Sequence, residues 1–138
     1  MEIEINNDLT AEEYNNLRES IGWKAKDNEL VENAIKNSII IKKVKLDNKV
    51  VGMARVVGDG MYYLIVDVLV DERYQRKGIG KKIINEIIEE IENRTKEGQT
   101  CIINLISMEG KEDFYEKCGF IKVPFDNTGY GMIRKIEK

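Results

Sequence analysis

The sequence contains no histidine among its 138 residues. This absence excludes serine–histidine and cysteine–histidine catalysis, a histidine general base and histidine-ligated zinc, because each of these needs an imidazole side chain. Cysteine is also scarce. Cys101 and Cys118 are the only two, and the N-terminus has neither the basic region nor the apolar core of a secretory signal, so we expect reduced thiols in a cytoplasmic protein. We expect no metal cofactor.

Neither sign of charge is in large excess, and long apolar runs are missing. The chain has 22 Lys and Arg against 25 Asp and Glu, a net charge of −3 and a pI near 5.2, so non-specific attraction to nucleic acid or to an anionic membrane is not expected. No apolar run approaches the length needed to cross a bilayer. With 42% hydrophobic residues and one proline, we expect residues 1–138 to fold as a single domain, either monomeric or homodimeric.

The hydrophobic pattern of the first half predicts helices followed by strands. Thr10-Ala-Glu-Glu13 is a capping box at the start of a first helix, which Gly22 ends, and Asp27 is positioned to cap a second helix. Three β-rich runs then predict consecutive antiparallel strands, with Asp47-Asn48-Lys49 as the first turn between them. The strands predicted in this half, including one at the N-terminus, are Met1–Asn6, Ser38–Leu46, Val50–Val57 and Met61–Val70.

The second half predicts an α/β arrangement. After the long strand, a polar, glycine-containing segment leads into an amphipathic helix with an isoleucine stripe. The next strand, Thr100–Ile106, should run parallel to Met61–Val70, because a helix connects the two by a right-handed crossover. A short helix at Lys111–Lys117 and strands at Phe120–Val123 and Tyr130–Ile136 complete the pattern. We therefore predict a mixed, mostly antiparallel sheet flanked by helices.

The segment between the long strand and its helix carries the clearest chemical signal. Gly78 and Gly80 lie where a loop enters a helix N-terminus, which exposes unpaired backbone N–H groups and the positive end of the helix dipole. Five cations surround this turn in a chain that is acidic overall: Arg73, Arg76, Lys77, Lys81 and Lys82. The pattern favours a phosphate or pyrophosphate ligand, although glycines that only shape a turn beside a solvated cationic face would give the same residues.

Two common phosphate motifs do not fit this segment. A Walker P-loop needs Gly-x-x-x-x-Gly-Lys-Ser/Thr, and here Gln75 takes the first position and Lys82 the last, so the magnesium-binding hydroxyl is missing. A Rossmann fingerprint needs a third glycine where this chain has Ile83. Neither a nucleotide triphosphatase nor a dinucleotide-binding domain is therefore supported.

Gln75-Arg76-Lys77-Gly78-Ile79-Gly80 resembles the Q/R-x-x-G-x-G/A motif of the GNAT superfamily of acyl-CoA-dependent N-acyltransferases. Val68-Leu69-Val70 stands where that family has the strand end that pairs with the pantetheine arm. Phe114-Tyr115-Glu116-Lys117-Cys118-Gly119-Phe120 resembles the family's F-Y-x-x-x-G-F segment. The order of elements also agrees with the family fold, in which two parallel strands splay apart. The resemblance implies an N-acetyltransferase that uses acetyl-CoA as the acyl donor.

The resemblance also implies roles for individual residues. Backbone groups of Val68 and Val70, on either side of Leu69, would hold the pantetheine amides, and the N–H groups from Arg76 to Lys81 would hold the pyrophosphate. Tyr115 would donate a proton to the departing thiolate, since a phenol with a pKa of about 10 is protonated at neutral pH. The alternative is that this tyrosine is a core aromatic in an apolar helical stripe.

The sequence does not single out a general base. The position at which some family members have a strand glutamate is Leu64 here, and Asp67 on the same strand is the nearest candidate. By strand alternation, Asp67 should share a face with Tyr63 and Leu69. Asp67 could equally cap a loop or pair with Arg55, and loss of the amine proton to water is a third option.

The acceptor is an amine on a small molecule or peptide that the sequence does not identify. We expect Trp23, in the connection between the first two helices, and Tyr63 to contact it, although Trp23 could instead cover the core. A second function class fits the same motifs, namely a non-catalytic acyl-CoA-binding sensor that retained the coenzyme site without turnover. Release of CoA thiol in the presence of amines separates the two.

Overall fold

A computed structural model describes residues 2–138 and divides into two compact units, the first ending at Leu105 and the second spanning Ile106–Lys138. Within residues 2–138, no helix combines the length and the apolar character needed to cross a membrane. The second unit contains α4 (Glu112–Lys117). The elements of the first unit, in chain order, are β1 (Ile3–Asn6), α1 (Ala11–Ser20), α2 (Asn28–Lys36), β2 (Ile40–Leu46), β3 (Lys49–Gly58), β4 (Tyr62–Val70), a 3-10 turn (Glu72–Tyr74), α3 (Ile79–Arg94) and β5 (Ile102–Leu105).

The five strands lie in the sheet in chain order, β1-β2-β3-β4-β5. The first four are antiparallel to their neighbours, whereas β5 is parallel to β4. The predicted mixed, mostly antiparallel sheet is therefore confirmed. The turn between β2 and β3 is shorter than expected: Asp47 and Asn48 have φ values of 49° and 67°, which suit a two-residue hairpin loop, and Lys49 already belongs to β3.

Helices cover both faces of the sheet. On one face, Tyr14 and Leu17 of α1 and Val31 of α2 pack against Met53 of β3 and Leu69 of β4. On the other face, α3 buries the predicted isoleucine stripe, which includes Ile83, Ile84, Ile87 and Ile91. We therefore divide the sheet into an α1/α2 face and an α3 face.

Gly52 lets α3 lie close to the strands. A Cβ at this position would lie 3.3 Å from side-chain atoms of Ile79 and Ile83, so Gly52 faces α3. The next residue, Met53, packs on the α1/α2 face, as strand alternation requires. The start of α3 is thus held against β3 at a distance that a larger residue would increase.

Adjacent lysines on β2 attach one helix to each face. Lys42 Nζ lies 2.7 Å from Glu90 Oε1 of α3, and Lys43 Nζ lies 3.1 Å from Glu13 Oε1 of α1. The two lysine side chains are 10% and 5% exposed, and ammonium groups at that depth need charged or hydrogen-bonding partners. Glu13 also completes the predicted capping box with Thr10. One strand therefore positions both α1 and α3.

β4 contains a bulge at Val66. Arg55 pairs with Asp67 and Val56 pairs with Ile65, so two successive residues of β3 lie opposite three residues of β4. Such an extra residue bends its strand and reverses the alternation of the side chains that follow. Strand periodicity alone does not reveal it.

The bulge changes which β4 side chains share a face. Leu69 packs on the α1/α2 face, and Asp67 lies on the same side two residues earlier. Tyr63 instead pairs with Gly58, which alternates in phase with Gly52 on the α3 face, and it is 2% exposed. The prediction that Tyr63, Asp67 and Leu69 share a face is therefore wrong for Tyr63.

The two strands predicted near the C-terminus, Phe120–Val123 and Tyr130–Ile136, are not formed. In residues 121–138 the structure has one backbone–backbone hydrogen bond, from Thr128 N to Phe125 O. Both runs have the composition of strands, but a strand also needs a paired neighbour, and pairing does not follow from local propensity. This part of the prediction is wrong.

We expect Gly58→Ala to destabilise the protein by about 1–3 kcal/mol. The added Cβ would overlap the carbonyl oxygen of Tyr62 and lie 3.0 Å from Tyr63 Cα, so the backbone at the β3–β4 turn would have to move. Urea unfolding followed by circular dichroism measures the change. In the control Gly129→Ala, the Cβ meets nothing within 4 Å, and a change below about 0.5 kcal/mol is expected. Equal stability of the two variants would show that the turn accommodates a methyl group.

Candidate functional site

The edge of β4 that faces away from β3 is paired with another strand over only part of its length. Ile102–Leu105 of β5 pairs in parallel with Tyr62–Ile65, and among residues 2–138 no strand pairs with this edge beyond Ile65. Val66–Val70 is therefore bonded to β3 on one side and open on the other. The predicted parallel pairing of these two strands is confirmed, and it ends next to the bulge.

Val68 and Val70 direct their backbone groups to this open edge. The N–H of Asp71 donates to Val51 O of β3 at 2.8 Å, so by antiparallel alternation the backbone groups of Leu69 also face β3. The intervening Val68 and Val70 then face the opposite way. An exposed row of N–H and C=O groups of this kind can pair with an extended ligand.

The side chain of Gln75 forms a hydrogen bond with one of these backbone groups. Its Nε2 donates to Val70 O at 2.9 Å, which connects the start of the motif to the end of β4. Gln75 was predicted as a coenzyme-binding residue, and the structure adds that its amide fixes the loop against the strand.

The glycine loop ends in a helix N-terminus with free donors. Arg76 and Gly78 have positive φ values of 65° and 81°, and Gly78 is the N-cap residue of α3 without a side-chain cap. The first turn of α3 closes with Lys82 N donating to Gly78 O at 3.1 Å. Among residues 2–138, the N–H groups of Ile79, Gly80 and Lys81 have no acceptor, which is the state expected of an uncapped first turn. These donors, with the helix dipole, suit an anion.

The cations around this loop are exposed, and most lack a carboxylate partner. In the described part of the chain, Arg76, Lys77, Lys81 and Lys82 form no ion pair. Uncompensated positive charge therefore surrounds the free N–H groups. Ile79, by contrast, is 4% exposed and packs beneath the loop, so its contribution to a ligand is its backbone.

Three cations lie around the ring of Tyr74, two from the loop and one from the start of β3. Lys49 and Lys77 each lie 5.7 Å from its ring centroid, and Arg73 lies 5.8 Å from it. Arg73 also binds Asp71, whose Oδ2 accepts from Nη2 at 2.9 Å and whose Oδ1 accepts from the Arg73 N–H at 3.0 Å. These hydrogen bonds from Arg73 hold the pKa of Asp71 below its usual value. The loop conformation thus depends on contacts at Asp71 and Tyr74.

Asp67 is an ion-pair partner in this structure. Its Oδ2 accepts from Arg55 Nε and from the Tyr14 hydroxyl, both at 3.0 Å, and its side chain is 11% exposed. Arg55 Nη1 also donates to Ser38 Oγ at 3.3 Å. Of the alternatives that the sequence left open, pairing with Arg55 is the one that the structure contains. Both donors bind the same oxygen, so the carboxylate joins β4 to β3 and α1 in a structural ion pair.

The two residues predicted to contact the acceptor lie on opposite faces of the sheet. Tyr63 is buried on the α3 face, as described above. Trp23 packs against the core of the α1/α2 face, and its ring lies 5.1 Å from the Arg18 guanidinium. The interpretation of Trp23 as a cover for the core is therefore favoured.

A cavity of about 250 Å³ lies between α1, α2 and β3. Tyr14, Lys26 and Arg55 provide its polar lining, and α2 provides its apolar wall. The sequence analysis did not identify Tyr14 or Lys26 as site residues. Tyr14 is indistinguishable in sequence from the other apolar positions of α1, and Lys26 is one of many surface lysines.

Tyr115 lies on α4 in the second unit. Its ring packs edge to face with Phe114 at 5.0 Å and with Phe120 at 6.0 Å between centroids. Burial, with a smaller contribution from Cys118, raises the pKa of its phenol. Within residues 2–138 its hydroxyl has no hydrogen-bond partner, so a protonated O–H remains available as a donor.

The chain is similar in sequence to known N-acetyltransferases. Residues 37–122 match the family described as Acetyltransferase (GNAT) domain. The chain is 32% identical over 124 residues to the uncharacterised N-acetyltransferase ycf52 of Pyropia yezoensis. The aligned region covers 86% of this chain and 69% of that protein. The chain is 28% identical over 130 residues to GCN5-related N-acetyltransferase 1, chloroplastic, of Arabidopsis thaliana, covering 92% and 64% respectively. The chain therefore spans about two thirds of the length of these relatives.

Solved structures agree with the sequence matches. A probable acetyltransferase from Staphylococcus aureus has a TM-score of 0.80 at 28% identity, over 96% of this chain and 100% of that chain. A GNAT family acetyltransferase from Streptococcus pneumoniae has a TM-score of 0.74 at 28% identity, over 98% of each chain. Fold and sequence therefore identify the same family.

We expect Asp71→Asn to lower the free energy of unfolding by about 1 kcal/mol at pH 7, the size of a hydrogen bond to a charged group that is partly screened by solvent. Because Arg73 depresses the folded-state pKa, this contribution is present above the ordinary carboxyl pKa and is lost as pH falls through the lowered folded value. The stability difference from wild type should therefore shrink below pH 4. Glu72→Gln, which removes a charge from the same loop, is the control. A difference independent of pH would contradict the ion pair.

Proposed function

The chain belongs to the GNAT family of acetyltransferases, and we propose that it transfers the acetyl group of acetyl-CoA to a primary amine by direct attack in a ternary complex. The observation that carries this proposal is the open edge of β4 beyond Ile65, which runs into the uncapped N-terminus of α3. One continuous stretch of chain thus offers backbone groups for amides and then free N–H donors for phosphates.

Acetyl-CoA fits this stretch chemically. Its pantetheine arm carries amides that would pair with Val68 and Val70 as an added strand. Its pyrophosphate would accept hydrogen bonds from the N–H groups of the loop and first helical turn, among them those of Ile79, Gly80 and Lys81. Exposed Arg76 and Lys77 would add Coulomb attraction to the phosphates. These assignments rest on the direction of the backbone groups and on the family motif.

The proposed transfer forms one bond and breaks another. The nitrogen of a neutral amine attacks the thioester carbonyl, the C–N bond forms, and the C–S bond breaks to release CoA thiolate. The attacking nitrogen loses a proton, and the thiolate gains one. We propose that water takes the amine proton, because the Asp67 carboxylate is engaged with Arg55 and Tyr14.

We propose Tyr115 as the acid that protonates the thiolate. Two observations support it: its place in the family-like segment, and the absence of a hydrogen-bond partner for its hydroxyl within residues 2–138. The phenol is protonated at neutral pH, which a donor requires. Location in the cytoplasm, a single domain over residues 1–138 and a monomeric or dimeric state stay predictions from the sequence.

A thiol-release assay tests the proposed function. Purified protein is mixed with acetyl-CoA and a panel of amines, and free CoA thiol is measured against time. Multiple turnovers with at least one amine, with the acetylated product identified by mass spectrometry, are expected. If acetyl-CoA binds but no amine yields product, the protein is the coenzyme-binding sensor rather than a transferase.

Tyr115→Phe should lower kcat by about 10²–10⁴-fold, the usual effect of a well-placed general acid. The ring and its packing on Phe114 and Phe120 remain, so the unfolding midpoint and the affinity for acetyl-CoA should change little. If chemistry limits turnover, kcat and kcat/KM should fall together.

The matched control is Tyr130→Phe, which removes a hydroxyl from a tyrosine of the same unit that is 81% exposed. Its kcat should equal that of wild type. Wild-type kcat in Tyr115→Phe would mean that Tyr115 is a core aromatic and that water or another group protonates the thiolate.

A further inference from the structure

The cavity between α1, α2 and β3 combines an apolar wall with positive charge. Leu30, Val31 and Ile35 of α2 provide the wall. Lys26 and Arg55 are the charged residues in its lining, which contains no carboxylate. A ligand that fits this lining has an apolar part and an anionic group.

The positive charge of the cavity is incompletely neutralised. Arg55 donates Nε to Asp67 and Nη1 to Ser38, and a guanidinium carries further N–H groups that have no acceptor within residues 2–138. The Lys26 ammonium forms no ion pair in the described chain, and the residue is exposed. Arg55 thus has one carboxylate partner, Asp67, and Lys26 has none, so an entering anion would balance the remaining positive charge.

Through Arg55 of β3, the cavity lies one strand away from the open edge of β4. Arg55 pairs in register with Asp67, and Asp67 directly precedes Val68 on the strand. Val68 is the first residue beyond the bulge whose backbone faces the open edge. A molecule in the cavity would therefore lie near the strand segment to which the pantetheine arm is assigned.

From these observations we propose that the cavity binds the acceptor, and that the acceptor is a small apolar amino acid whose carboxylate binds Lys26 and Arg55. This inference rests on the proposed function and names its substrate class. The apolar side chain lies along α2, and the α-amino group receives the acetyl group, which gives an N-acetyl amino acid and CoA.

Size and charge argue against other amine classes. The cavity of about 250 Å³ is below the roughly 300–1,000 Å³ of pockets that hold drug-sized ligands, so a large oligosaccharide amine does not fit inside it. A polyamine would bring more positive charge to Lys26 and Arg55 and would be repelled. A carboxylate instead forms charge-assisted hydrogen bonds with both side chains.

Binding of three related probes tests the proposal without relying on turnover. Leucine carries the apolar side chain, the carboxylate and the amine of the proposed acceptor. The probe 4-methylpentanoate lacks the amine, and 3-methylbutylamine lacks the carboxylate. Titrations followed by NMR of backbone amides should show that the first two shift signals of residues 30–35. The amine should bind about tenfold more weakly or worse, as expected for loss of a hydrogen bond to a charged group. Equal affinity for leucine and 3-methylbutylamine would overturn the proposal.

Lys26→Ala should weaken leucine binding by about tenfold for the same reason. Arg55 is left intact because its removal would leave Asp67 without its cation. The matched control is Lys24→Ala, a lysine of the same α1–α2 connection outside the cavity, whose carbonyl contact with Arg18 Nε the variant retains. Unchanged binding in Lys26→Ala would overturn the assigned carboxylate site.

Turnover then separates this inference from the proposed function. Acetylation of other amines without binding of leucine would refute the acceptor class and leave the transferase intact. Binding of leucine in the cavity without acetylation of any amine would refute the transferase and leave the amino-acid site intact.

Discussion

The end of pairing between β4 and β5 at Ile65 is the constraint on which the rest of the site depends. A bulge at Val66 bends β4 at that point, and the strand continues for four residues with β3 on one side only. The open edge supplies backbone groups that no other strand uses within residues 2–138. Because β4 then leads directly into the glycine loop, one segment can bind both a pantetheine-like chain and a pyrophosphate.

Ion pairs, in addition to apolar packing, hold the elements around this segment in place. Lys42 and Lys43 attach α3 and α1 to opposite faces of the sheet, and Asp71 fixes the loop through Arg73. On the α1/α2 face, Asp67 joins β4 to Arg55 and Tyr14. Glu13, Glu90, Asp67 and Asp71 are thus held in structural ion pairs, while the cations near the loop remain exposed.

Much of this arrangement was predictable from sequence because its signals are local. The capping box at Thr10, the isoleucine stripe of α3 and the motif from Gln75 to Gly80 each depend on residues close in the chain, and they fixed the helices, the sheet type and the candidate coenzyme segment. The predicted strands that did not form, Phe120–Val123 and Tyr130–Ile136, depend on non-local pairing. The bulge at Val66 also depends on non-local pairing, between β3 and β4. Because of it, the side chains of Tyr63 and Asp67 lie on opposite faces of the sheet.

Amide hydrogen exchange with and without coenzyme A tests the central claim most directly, because it reports on the backbone groups themselves. Exchange at Val68, Val70 and Gly80 should slow when coenzyme A binds, since their N–H groups would then be hydrogen-bonded. Leu69, whose backbone faces β3, should change little and serves as the internal reference. Unchanged exchange at Val68, Val70 and Gly80 with coenzyme A bound would contradict the assignment of the open β4 edge as the coenzyme site.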